Sequence, residues 1–389
     1  MFSSRLRQAA GANRLAMAVE RRRAGGRDIL DLTLSNPTRA GFSYPHGLLA
    51  PMSQDRALCY QPEPFGLPSA REAVSRDLER YGVRVPPERI VLTASTSEAY
   101  SLLFKLLCDP ADIVLAPQPC YPLIEHLTDL ESVALQHYRL EFHGRWEVDL
   151  YGLREQAAAE RTRAIIVINP NNPTGSSLND RELDAVASIA RERDLALISD
   201  EVFSDYRIAG DAPCSAARQS AALTFTLGGL SKSIGLPQLK LGWIAVGGPE
   251  PQVAEALERL EIICDAYLSV STPVQLAVPE LLGAGGSVRA QIHNRVRENY
   301  DRLKNAAAAY PACAVLPVEA GWYAIVQVPA LAPEERIAVD LLEETGVLVH
   351  PGYFFDFERE AFLVVSLLPE ARVFVQAIDA LFDHVGRLR

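Results

Sequence analysis

Seven short strand-like runs recur along the middle of this chain, at 90–93, 113–116, 133–138, 164–168, 195–199, 223–227 and 241–246. Helix-like runs lie between several of them, at 98–107, 122–130 and 181–193. Strands alternating with helices build βαβ units and a mainly parallel sheet. Residues 165–168 and 195–198 are apolar throughout. Strands covered on both faces read that way, because a strand with one wet face alternates polar and apolar positions. The middle of the chain is therefore an α/β layer structure.

The flanks read differently. Helices are expected at 252–267 and 291–310, the second carrying Ile292, Val296, Tyr300 and Leu303 on one face. Strands at 322–328, 347–350 and 362–366 alternate with helices at 333–344 and 371–388, an α+β style. Near the start, residues 1–28 read as an amphipathic helix and a turn at Gly25-Gly26, and 29–34 as a strand. A Pro- and Gly-rich ordered loop follows to Tyr60, then a helix at 69–81 with a capping box from Ser69 to Glu72. Chain ends often lie close together. The expected division is a large domain at 46–280 and a smaller one from 1–45 and 281–389.

Composition excludes some functions. A net charge of −11 disfavours nucleic acid as the main partner, since phosphate backbones need a basic face. The six cysteines form no CxxC pair, so neither a zinc ribbon nor a disulfide framework is suggested, and no metal is expected. Scattered reduced thiols suit the cytoplasm. No apolar run reaches membrane-spanning length. No G-x-G-x-x-G turn follows a strand-like run, which removes the nicotinamide fingerprint.

Four strand ends carry chemistry. Thr93-Ala-Ser-Thr-Ser-Glu-Ala99 joins a strand to a helix. It reads as an ordinary N-cap by Thr96 or Ser97, or as an anion site at the helix start. Asn169-Pro-Asn-Asn-Pro-Thr-Gly175 leaves a buried strand, as a plain turn or as a rigid mount for an Asn amide. Asp200-Glu201 ends the next buried strand, where a carboxylate needs a partner. It is either a helix N-cap or the partner of a protonated ring nitrogen. Lys232 follows the Gly-rich run 223–230, at a strand end, where a desolvated amine can form Schiff bases.

In order, Tyr60 with Gly66, Ser95–Ser97, Pro119-Cys-Tyr121, Asn172-Pro-Thr-Gly175, Asp200-Glu-Val-Phe203 and Ser231-Lys232 with Gly242-Trp243 resemble the class I/II aminotransferases of fold-type I pyridoxal phosphate enzymes. The resemblance covers nearly the whole chain. It implies a large domain with a mostly parallel seven-stranded sheet and a smaller α+β domain. It implies Lys232 as the Schiff-base lysine, Asp200 on the pyridinium nitrogen, Asn172 on the ring hydroxyl and Tyr121 on the ring face. Ser95, Thr96, Ser97, Ser231 and Lys240 would hold the phosphate. Tyr60 would reach the phosphate of a neighbouring subunit, so a homodimer is implied. The expected reaction moves an amino group from an amine or amino-acid donor to an oxo acceptor. A lyase, decarboxylase or synthase on the same cofactor, and a non-catalytic cofactor-binding protein, are the alternatives.

Four positions depart from the pattern. Phe203 stands where the family has a tyrosine that donates to the ring hydroxyl, and Tyr206 is a candidate substitute. Gly229 stands for a phosphate-binding serine, and Lys240 for an arginine. In Phe362-Leu-Val-Val-Ser366, Val364 stands where the resemblance places a carboxylate-clamping arginine. Asn36, Arg39 and Arg372 are candidates for substrate contacts in its stead, or solvated surface residues.

Overall fold

The structure is a computed structural model and describes residues 2–6, 13–210 and 214–388. One large sheet dominates it. Its strands are β1 (Ile90–Thr93), β2 (Ile113–Gln118), β3 (Ala134–Phe142), β4 (Trp146–Val148), β5 (Thr162–Ile168), β6 (Ala196–Asp200), β7 (Thr224–Gly229) and β8 (Gly242–Gly247). They lie in the order β1-β8-β7-β6-β5-β2-β3-β4. The sheet thus has eight strands, not seven: β4 adds an antiparallel edge to β3. The expected strands are all present. Pairs among β7, β6, β5, β2 and β3 are parallel, and β8 runs antiparallel to both β1 and β7.

The buried strands explain the sheet's depth. Ile165, Ile166, Leu197 and Ile198 are fully buried. Alternate residues along β5 and β6 face two different clusters, because successive side chains point to opposite faces. Ile166 and Ile198 pack with the Thr96–Leu107 and Glu250–Asp265 helices. Ile165 and Leu197 pack with the Leu150–Gln156 and Asp180–Glu192 helices. Each such side chain contributes roughly 1.5–3 kcal/mol by leaving water. The Asp180–Glu192 helix starts with a capping box between Asn179 and Glu182.

A third cluster packs the Pro68–Leu78 and Thr272–Ala284 helices against β1 and the Lys232 turn. The expected capping box at Ser69 is not formed. Pro68 takes the first turn and Leu67 is the cap residue, without a side-chain bond, so Ser69 already lies inside the helix. The last cluster joins Leu15, Ala18 and Leu32 to residues 288–385. It covers an antiparallel sheet of Ala314–Val315, Tyr323–Gln327, Phe362–Ser366 and His350–Pro351. Leu30–Asp31 pairs in parallel with Val347–Leu348, so the expected 29–34 strand is a strand of only 2 residues. The expected first helix is Arg14–Ala24, capped by Asn13; residues 1 and 7–12 of that expectation lie outside the described ones.

Candidate active site

The carboxyl ends of β1, β2, β5, β6 and β7 share one rim with the start of β8, and a cleft of about 850 Å³ opens over it. Ligand sites of open α/β sheets lie at such ends. Lys232, Asp200, Asn172, Tyr121, Ser95, Thr96, Ser97, Ser231 and Lys240 all line this cleft. Segments spread over much of the sequence are therefore brought together at one cleft. Four expected residues are not. Tyr60 is 73% exposed and lines a separate small pocket. Asn36 caps the short Pro37–Arg39 helix, accepting from the Thr38 N–H at 3.0 Å and its hydroxyl at 2.7 Å. Arg39 and Arg372 are exposed and line no part of the cleft.

Lys232 sits on the Leu230–Ser233 turn directly after β7. Its Nζ lies 5.0 Å from the Trp322 ring and 5.7 Å from the Phe203 ring. Burial pushes its amine pKa down, and Asp200 only partly opposes that. The turn is held from below. The Tyr206 hydroxyl donates to the Lys232 carbonyl at 2.5 Å and to the Ser233 carbonyl at 3.1 Å. Tyr206 is fully buried and does not line the cleft, so it does not replace the missing donor at Phe203. Arg289 donates to Ser233 Oγ at 3.0 Å and pairs with Asp205 at 3.0 Å.

Asp200 ends β6. Its Oδ2 accepts from the Tyr100 hydroxyl at 3.2 Å and its Oδ1 from the Val202 N–H at 3.2 Å. It caps no helix. Burial pushes its pKa up to about 6, despite those bonds and the Lys232 charge. Tyr100 escaped the sequence reading because it sits inside the Thr96–Leu107 helix, where an aromatic looks like ordinary core. The neighbouring Glu201 faces away and accepts from Ser199, Ser215 and the Ala216 N–H.

The asparagines divide their work. Asn169 and Asn171 tie the turn to its surroundings, through the Cys214 and Pro119 carbonyls. Asn172 is 8% exposed, lines the cleft, and its Oδ1 is buried without a partner. An unpartnered buried acceptor on a residue that lines a cleft is free to take a hydrogen bond from a ligand. At the Thr96–Leu107 helix start the cap is Ser95, not Thr96 or Ser97, and its Oγ accepts from the Glu98 N–H at 3.1 Å. The first amides of that helix face the cleft rim, a ready anion site. Lys240 stands at the rim in the left-handed region, at φ 50°. A non-glycine residue there is held by its surroundings and is often functional. Gly242 is forced by close approach: a Cβ would meet Gly228 O, Ser95 C and Thr93 Oγ1, each at 3.1 Å.

These groups fit pyridoxal phosphate. A carboxylate, an unpartnered amide, a desolvated amine and an anion-binding helix start match its ring nitrogen, ring hydroxyl, aldehyde and phosphate. The opposite wall is built by Thr33, Ser35, Tyr323, His350, Phe354 and Phe355. None of these was singled out in the sequence. Val364 is fully buried in the Phe362–Ser366 strand and pairs across to His350.

The chain matches the family description "Aminotransferase class I and II" over residues 50–378. It is 30% identical to an alanine aminotransferase of Mycobacterium tuberculosis, covering 94% of this chain and 87% of that one. It is 28% identical to the glutamate-pyruvate aminotransferase AlaA of Escherichia coli, over 88% and 87% of the two. Among solved structures, an aminotransferase from Escherichia coli superposes with a TM-score of 0.87 at 25% identity, covering 100% and 98%.

Proposed function

This chain belongs to the class I and II aminotransferase family and is a pyridoxal phosphate-dependent aminotransferase, and we propose that the cleft over the sheet's carboxyl rim is its active site, with Lys232 as the cofactor-bearing amine. The observation that carries this assignment is the convergence of Lys232, Asp200 and the unpartnered Asn172 Oδ1 on one cleft.

Bound pyridoxal phosphate supplies a ring that takes up electron density from the carbon losing a proton. The chain's residues do the rest. Asp200 pairs with the ring nitrogen, and Tyr100 and the Val202 N–H keep its carboxylate aimed there. Asn172 would bond the ring hydroxyl through its side-chain amide, and Phe203 has no hydroxyl to add there. Ser95, Thr96, Ser97, Ser231 and Lys240 hold the phosphate at the rim. Tyr121 covers the ring face. Burial keeps the Lys232 amine readily neutral, so its Nζ would be able to hold the cofactor's aldehyde carbon and to carry the donor's Cα proton. In the full cycle the donor amine becomes a carbonyl compound and an oxo acceptor becomes an amine. No net oxidant is needed.

The remaining assignments are part of the same proposal. Tyr60 serves the phosphate of a second copy in a homodimer. Its 73% exposure and that of its neighbour Leu58, at 91%, support a covered surface there. The apolar cluster that joins Leu15, Ala18 and Leu32 to residues 288–385, with Trp146, Phe203 and Tyr206 also in it, supports a division into 46–280 and the two terminal pieces. Scattered unpaired cysteines suit a cytoplasmic protein. No helix of the described residues is long and apolar enough to cross a membrane.

The test is reductive trapping. Borohydride treatment of the cofactor-loaded protein should fix the cofactor on the peptide containing Lys232 and erase the visible absorbance band. Lys232→Ala should show neither. A band that persists in Lys232→Ala, or a label on another lysine, would overturn the assignment.

A further inference from the structure

We propose that the donor taken by this cleft carries an uncharged polar group, an amide or alcohol, beside its amino-bearing carbon together with an apolar or aromatic side chain, and that His350 recognises that polar group. This rests on the cofactor placement proposed above.

The charged or titratable groups of the lining that decide the matter are Lys232, Lys240, Asp200 and His350. With the cofactor in place, Lys232 serves its aldehyde, Lys240 its phosphate and Asp200 its ring nitrogen. No guanidinium lines the cleft among the described residues. A donor carboxylate would find no unassigned cation among the described lining residues to meet it. An uncompensated charge in such a place is costly, whereas a neutral group is not.

The wall facing the rim is aromatic. Tyr121 lies 6.4 Å from Phe355, ring to ring. The Tyr323 hydroxyl is engaged with Ser35. That wall suits an apolar or aromatic side chain on the donor.

His350 is the exception in it. Phe354 and Phe355 hold its ring, each at 5.7 Å, the second edge-on. Its cross-strand neighbour Val364 is apolar and fully buried. Its ring nitrogens make no hydrogen bond to any described residue. Burial pushes its pKa below the usual value, with Asp31 partly opposing, so the imidazole is neutral near pH 7. A neutral imidazole offers one donor and one acceptor. Amides and alcohols are likewise donor and acceptor at once, and a carboxylate is acceptor only.

The experiment uses the cofactor-loaded full chain and matched donors. They are L-phenylalanine, L-phenylalaninamide and L-phenylalaninol, with L-alanine and L-alaninamide as the small pair. Stopped-flow absorbance follows conversion of the loaded protein to its amine form and gives a half-saturation concentration and a maximal rate. We expect the neutral donors to saturate ~10-fold lower than their parent acids. His350→Leu should raise the half-saturation of the neutral donors ~10-fold, leave their maximal rate near wild type and leave the acids unchanged. His350→Gln, which keeps a donor and an acceptor, should restore tight saturation. A preference for the acids, or a His350→Leu protein with unaltered half-saturation, would overturn the proposal. A preference for acids that survives in His350→Leu would point to a cation from a second copy. If no donor converts and borohydride fixes nothing on Lys232, it is the active-site assignment that has failed.

Discussion

Replacing Asp200 by Asn should stabilise the cofactor-free protein, and only above a certain pH. Asp200 is held at the cleft floor by Tyr100 and the Val202 N–H, and burial raises its pKa from 3.8 to about 6. A raised carboxyl pKa means that the native state keeps its proton longer than the unfolded chain. Its contribution to stability is complete below the unfolded value and is lost as the pH rises through about 6. The shift is 6 − 3.8, about 2.2 pH units. At ~1.36 kcal/mol per unit this gives an upper bound of ~3 kcal/mol. Asp200 keeps some contact with cleft water, so we expect about 2 kcal/mol in practice. Asn does not titrate. The stability difference between Asp200→Asn and wild type should therefore grow by about 2 kcal/mol from pH 4.5 to pH 8. Packing differences between the side chains do not depend on pH and cancel in that comparison. Glu201, whose pKa burial raises to about 7, is common to both proteins. Urea unfolding of the stripped protein at several pH values is the assay. A difference that stays flat across the range, or shrinks, would refute the argument. With cofactor bound, the ordering should reverse, since the ring nitrogen then meets the charge.

Phe203→Tyr should place a hydroxyl at the cleft wall beside the site of the ring hydroxyl. A charge-assisted bond of ~1.5–3 kcal/mol would move the pH titration of the loaded protein's absorbance down by about one to two units. An unmoved titration would mean that the hydroxyl does not reach. Tyr206→Phe removes the bonds to the Lys232 and Ser233 carbonyls, and Arg289 covers only the second of these. It should lose ~1–3 kcal/mol in urea unfolding and slow the chemical step more than it weakens donor binding. Gly175→Ala should lose at least ~1–3 kcal/mol in urea unfolding. Its φ is +66°, and a Cβ would meet Val318 Cγ1 at 2.5 Å and Ala320 O at 2.9 Å.

Most of the sheet is legible in the sequence because its strands are buried on both faces, and continuous apolar runs stand out. β4 is not, because Trp146–Val148 is only three residues long and its turn depends on Gly144 at φ +89°. The Thr272–Ala284 helix hides behind Pro273, Pro279 and Gly283, residues that usually interrupt helices. Proline in the first turn does no harm there, and packing against the Pro68–Leu78 helix carries the rest. The cleft is half legible. Residues leaving strand ends in unusual turns, such as Asn172, Asp200 and Lys232, announce themselves. Tyr100, Tyr323 and His350 look like core or ordinary strand residues, and only the assembled cleft shows what they face.

The reversed direction of β8 decides where two amines meet. Gly242 pairs with Gly229 on one side and with Thr93 on the other, so the start of β8 touches the ends of β7 and β1. A parallel β8 of the same six residues would begin at the far edge of the sheet, roughly 20 Å away. Instead one hairpin connection, residues 230–241, carries both Lys232 and Lys240. Their separation is a property of that loop's length and not of the sheet. An inserted residue between them would detune one amine against the other and leave every strand in register.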